Sequence, residues 1–143
     1  MPESLKQHYT ISADDFAAAG AASATVKQTL KQLGFAPDVI RRTSIAMYEG
    51  EINTVIHGGG GTADVEIAED RIIIILTDQG PGIPDVALAM KEGFSTASDQ
   101  VRELGFGAGM GLPNIKKHSD EVNIETEIGK GTKLSITIFS TLR

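Results

Sequence analysis

Apolar residues recur along this chain at two spacings. Gln7 to Ile11 alternates weakly and predicts a first short strand. Phe16, Ala19, Ala22, Val26 and Leu30 then fall three or four apart. That spacing predicts a helix through about Leu33 with one buried stripe, and Ser12 to Asp14 supplies N-cap residues for its start. Gly34 reads as its stop. Pro37 suits a helical first turn with Asp38 complementing the dipole, so a second helix is expected over Pro37 to His57. Four glycines, Gly58 to Gly61, end it. Ala63, Val65 and Ile67 alternate with Asp64 and Glu66, as on a strand with one wet face. Ala68 to Asp70 forms a turn into Ile72 to Leu76, a continuous apolar run of the kind buried on both faces.

Beyond that run the pattern loosens. A short helix over Pro84 to Lys91 and a long loop over Gly93 to Gly111 are expected, and long loops inside compact domains usually carry function. A third helix is predicted from Leu112 to His118. Val122, Ile124 and Thr126, then a turn at Gly129 to Gly131, then Leu134, Ile136 and Ile138 predict a closing hairpin. Hairpins joining the strands imply a mainly antiparallel sheet. With helices on one face, the expected fold class is α/β, a two-layer sandwich, in a single domain over residues 1–143.

Composition narrows the chemistry. The 143 residues are 41% hydrophobic and 22% charged, as in ordinary globular domains. The absence of cysteine excludes disulfides and thiolate metal sites and points to a cytoplasmic setting. No apolar run approaches a membrane span, and Met1 to Tyr9 lacks the apolar core of a signal peptide. The net charge is −6 and the basic residues are scattered, so no nucleic-acid footprint is present. Backbone N–H groups and a metal ion can still bind phosphate on an acidic protein.

Eleven of the 16 glycines lie between Gly58 and Gly111. Clustered beside element ends, they suit sharp turns or close approach to a ligand; ordinary loop glycine is the alternative. The run Gly105-Phe106-Gly107-Ala108-Gly109-Met110-Gly111-Leu112 leads into a predicted helix and can turn successive N–H groups toward an anion. It is neither a Walker loop nor a dinucleotide fingerprint. Glu49, Asn53 and His57 are spaced four apart on one helix stripe, where they are either solvent-facing polarity or a site. An amide oxygen and phosphates satisfy magnesium, and a carboxylate one turn earlier can accept a proton. Glu51, two residues from Glu49, faces elsewhere and reads as a solvated charge. Asp78 ends the apolar strand and can accept from a ligand amine, with Gly80 and Gly82 letting backbone close over a flat ring; a turn aspartate is the alternative.

In order, Asn53, then Asp78 to Gly82 as Asp-x-Gly-x-Gly, then Gly107 to Gly111 as Gly-x-Gly-x-Gly resembles the Bergerat-fold ATPase superfamily, which includes DNA gyrase, MutL and sensor histidine kinases. Asp78 to Asp85 and Glu92 to Thr96 are similar to the stressosome switch kinases. Gly109 to Gly111 and Ser119 to Val122 are similar to the anti-sigma-factor serine/threonine kinases. The resemblance spans about Ser12 to Phe139. It implies magnesium at Asn53, a catalytic base at Glu49, and adenine at Asp78 with Thr132 in support. It further implies nucleotide contacts at His57, Gly80, Gly82, Ile83, Thr96, Gly107, Ala108, Gly109, Met110, Gly111 and Leu112, with Ser95 to Gly107 as a lid. Gly50 inside the helix and the charged stretch Ala97 to Leu104 depart from the pattern.

The resemblance implies ATP and Mg2+ as cofactors and transfer of the γ-phosphoryl group to a hydroxyl. The acceptor would be a regulatory protein, a STAS-type antagonist, with a sigma factor as a further partner and a homodimer allowed. A non-catalytic, ATP-dependent binding switch and a stand-alone histidine-kinase ATPase domain are the alternatives. Only about eleven residues precede the first helix, too few for a helical phosphoacceptor domain in this sequence.

Overall fold

A computed structural model of the chain describes residues 4–12, 20–56, 59–80 and 111–140. Five strands form one antiparallel sheet: β1 (Leu5–Ser12), β2 (Gly60–Ile67), β3 (Arg71–Asp78), β4 (Glu121–Glu127) and β5 (Gly131–Phe139). Their spatial order is β1-β2-β3-β5-β4. Three helices are described: α1 (Ala21–Leu33), α2 (Pro37–Ile56) and α3 (Gly111–His118).

Alternation sends every second strand residue to the helix side. In register, Val65 pairs Ile74, Ile74 pairs Ile136 and Ile136 pairs Val122, so these side chains share one row. The next rows hold Ile67, Ile72 and Ile138, and Ala63, Leu76, Leu134 and Ile124. Most of these side chains are fully buried and join Val26, Leu30, Met47 and Ile115 from the helices in one core. Removing this much aliphatic surface from water supplies the main drive for folding, at roughly 25 cal/mol per Å². The other face carries Lys6, His8, Asp64, Glu66 and Asn123, and there His8 Nδ1 lies 2.6 Å from the Asp64 carboxylate.

The α1 stripe is as predicted at Ala22, Val26 and Leu30. Gly34 stops the helix in the left-handed region at φ 84°, and the Phe35 N–H donates back to the Leu30 carbonyl. The start differs from expectation. Gly20 has φ 97°, so no helix runs through it, and α1 begins at Ala21. The predicted stripe residues Phe16 and Ala19 lie outside the described residues.

Two further expectations are corrected. Gly60 and Gly61 belong to β2, paired with β1 and β3, instead of merely ending the helix. The apolar run of β3 is fully buried only at Ile72, Ile74 and Leu76, while Ile73 and Ile75 are half-buried on the opposite face. The helices cover one side of the sheet, and the run is apolar on both faces only because β3 is the central strand.

Candidate functional site

The apolar rows on the helix side of the sheet end in a different one. Ile11 pairs Gly61, Gly61 pairs Asp78, Asp78 pairs Thr132 and Thr132 pairs Thr126. One pleat beyond Leu76 and Leu134, the surface therefore changes from methyl groups to a carboxylate and two hydroxyls. Asp78 Oδ1 accepts the Gly80 N–H at 3.0 Å and the Thr132 N–H at 3.2 Å. The first bond is the turn contact expected of an aspartate after a strand. The second ties the same oxygen across to β5. Among the described residues no donor bonds Oδ2, so one oxygen is anchored and the other is open to a ligand.

Glycine brackets the backbone at Asp78. A β-carbon on Gly61 would overlap the Thr77 carbonyl oxygen, and one on Gly131 would overlap the Asp78 carbonyl oxygen. Gly131 also has φ 121°, a conformation that other residues rarely adopt. The chain thus holds its neighbours unusually close around Asp78.

Helix α2 lies over the row before. A β-carbon on Gly50 would meet Leu76 Cδ1 at 2.5 Å and Leu134 Cδ2 at 3.6 Å. The unusual glycine therefore lets the helix settle onto β3 and β5 at the pleat preceding Asp78 and Thr132. Glu49 stands beside it, and Asn53 follows one turn after Glu49. Both are half-buried, as befits a shared face at spacing four. Helix α3 packs against α2, and its Ile115 is fully buried.

Glu51 is not the solvated charge expected from its place in the sequence. It is 3% exposed. Its carboxylate accepts N–H groups from Gly20 at 2.9 Å, Ala22 at 3.3 Å and Ser23 at 3.1 Å. A side chain of α2 thus caps the N-terminus of α1, which its own Gly20 cannot do. Spacing shows that Glu51 faces away from Glu49, but only tertiary packing shows what it faces.

The structure thus gathers Asp78, Gly80 and Thr132 by direct bonds, with Glu49 and Asn53 on the helix above the adjoining pleat. Gly111 and Leu112 open α3; the Leu112 side chain packs against the core, so any anion contact there belongs to the backbone. His57, Gly82, Ile83, Thr96, Gly107, Ala108, Gly109 and Met110 lie outside the described residues, as do the expected short helix Pro84 to Lys91 and the lid. Thr126, Gly61 and the bracketing role of Gly131 were missed in the sequence. The alternation Val122, Ile124, Thr126 already put Thr126 on the inner face; its register against β5 was the missing datum. Among the described residues no three or more His, Cys, Asp or Glu side chains converge as a metal site.

Comparison with known proteins identifies the family. Residues 52–142 match the family described as histidine kinase-, DNA gyrase B-, and HSP90-like ATPase. The matched span contains Asn53, Asp78 and Thr132 but begins after Glu49. The chain is 35% identical over 112 residues to the serine/threonine-protein kinase RsbT of Bacillus subtilis, covering 76% of this chain and 78% of that protein. It is 30% identical over 121 residues to an anti-sigma F factor of Clostridium beijerinckii, covering 80% and 81%. Among solved structures, the RsbU and RsbW domains of a Mycobacterium tuberculosis protein superpose with a TM-score of 0.64 at 18% identity, over 97% of this chain and 34% of that one. At that identity the likeness concerns the fold.

Proposed function

The chain belongs to the histidine kinase-, DNA gyrase B-, and HSP90-like ATPase family, and from that premise we propose that it is an ATP-dependent serine/threonine kinase acting on a regulatory protein. The observation that carries the reading is the pair Glu49 and Asn53 on one face of α2, seated by Gly50 on the two strands that bear Asp78 and Thr132. The name of the relative at 35% identity, a serine/threonine-protein kinase, agrees with it.

The residues present fit a nucleotide. Asp78 has one carboxylate oxygen anchored by two backbone N–H groups and the other open, which suits an exocyclic amine. Gly61 and Gly131 let the flanking strands pack against the β3 backbone that carries Asp78. Asn53 would share magnesium with phosphate oxygens and water, since that ion needs few protein ligands. Bound magnesium offsets the charge on the phosphoryl group in transfer. The first N–H groups of α3 would face phosphate. Glu49 would take the proton of the attacking hydroxyl. The hydroxyl oxygen bonds to the γ-phosphorus as the bond to the β-phosphate oxygen breaks, leaving ADP and a phosphoester.

The acceptor is proposed to be a STAS-type antagonist of an anti-sigma factor, with a sigma factor as a second partner, because relatives carry anti-sigma factor names. The proposed setting is the cytoplasm; no described helix is long and apolar enough to cross a membrane. A nucleotide-gated binding switch is the second reading, because the same residues would bind ATP without transferring its phosphoryl group.

One experiment separates them. Wild type and Glu49→Ala are compared for ATP affinity by calorimetry and for acid-stable label on a captured partner. A kinase should lose transfer by about 10²–10⁴ in the variant while ATP affinity stays within about threefold. A partner that is never labelled yet binds only with ATP would establish the switch instead.

A further inference from the structure

We infer that Thr126, outside the nucleotide contacts assigned above, is a positioning residue that makes the Thr132 hydroxyl an acceptor and so selects a 6-amino purine over a 6-oxo purine. The inference rests on the proposed nucleotide site. It starts from the two hydroxyls in the polar row. Thr126 Oγ1 lies 3.2 Å from the Gly131 carbonyl oxygen and 3.0 Å from Thr132 Oγ1.

Each hydroxyl has one proton to give. A carbonyl oxygen only accepts, so the contact to Gly131 uses the Thr126 proton. The bond between the two hydroxyls must then be donated by Thr132. Any further acceptor for Thr126 leads to the same assignment, because the Thr126 proton is still directed away from Thr132. The Thr132 oxygen is left with lone pairs alone for a ligand. Next to it, Asp78 Oδ2 is also an acceptor, while Oδ1 is occupied by the Thr132 and Gly80 N–H groups.

The row therefore presents acceptors without a side-chain donor. Adenine carries an amine with two protons at C6, whereas guanine carries a carbonyl oxygen there. Two acceptors match the amine and oppose the carbonyl. Polar mismatches of this kind discriminate more strongly than size does. Asp78 alone would favour the amine; Thr126 adds to it by denying Thr132 the rotation that would let it donate.

The test measures equilibrium binding of ATP and of inosine triphosphate, which carries a carbonyl oxygen at C6, with magnesium and no partner protein. Thr126→Val keeps the shape and the strand preference and removes the hydroxyl. Thr132 is then free to turn its proton toward the ligand. The expected result is an ATP-to-ITP affinity ratio about tenfold lower than in wild type, the worth of roughly one hydrogen bond. Thr126→Ser, which keeps the hydroxyl, should restore the ratio. A structural role alone would weaken both nucleotides together and leave the ratio unchanged, which would overturn the inference. Thr132→Val serves as the second variant; it should lower ATP affinity more than ITP affinity, and equal losses would count against the proposal. A wild type that binds neither nucleotide would overturn the nucleotide site itself. A wild type that binds both equally would overturn only the selectivity.

Discussion

At the scale of single residues, the informative side chains are polar ones in apolar surroundings. Glu51 satisfies three N–H groups at the start of α1 from a different helix. Glu51→Ala would leave those donors buried without a partner. The expected loss is about 2–3 kcal/mol of unfolding free energy, read from urea denaturation. Glu51→Gln keeps an acceptor oxygen and should lose about half as much. Thr43 is the opposite case. It is fully buried, and its hydroxyl has no hydrogen-bond partner among the described residues. Thr43→Val removes an unsatisfied group at nearly constant shape, so it should raise stability by about 1 kcal/mol, seen as a higher thermal midpoint.

At the scale of elements, glycines decide how closely neighbours approach. Gly61 lets β2 lie against the Thr77 carbonyl, and its substitution meets backbone that no rotamer change can move. Gly61→Ala should therefore cost more than about 3 kcal/mol and weaken binding at the proposed nucleotide site around Asp78. Gly129 is a useful contrast, because it has φ 81° with open space around it. Gly129→Ala should cost only about 1 kcal/mol, from backbone strain alone. Denaturation of the two variants side by side checks the difference. Gly50 lies between these cases: the obstacle is the far end of the Leu76 side chain, which can yield in part.

At the scale of the whole molecule, Arg42 joins distant ends of the chain. From α2 it donates to Asp38 at 2.9 Å and to Asp120 at 3.2 Å, and Asp120 in turn accepts the Phe139 N–H at 2.7 Å. Helix α2 is thereby tied to the α3–β4 junction and to the end of β5. The hydrogen bonds from Arg42 and then Arg41 hold the Asp38 carboxyl below its ordinary value of 3.8. A depressed carboxylate contributes stability above its unfolded pKa and loses it as pH falls through the folded one. Wild type should thus lose stability relative to Asp38→Asn as pH drops below about 3.8. Asp38 is exposed, so the gap between the two acid titrations should shrink in high salt.

Local pattern was enough for the antiparallel sheet, the span of α2 and the two ends of the closing hairpin. Their periodicities are set by backbone geometry within a few residues. The places of Asp78 at a strand end and of Asn53 and Glu49 on one helix face were likewise legible, because both are local properties. Packing and pairing register between elements decided the rest. Glu51 is a cap only because the α1 N-terminus meets it, and Gly50 is a seat only because Leu76 and Leu134 lie beneath it. Thr126 reaches Thr132 only because β4 and β5 pair in this register. Spacing along a chain says which residues share a face. What that face touches depends on packing and register between elements, which no local period encodes.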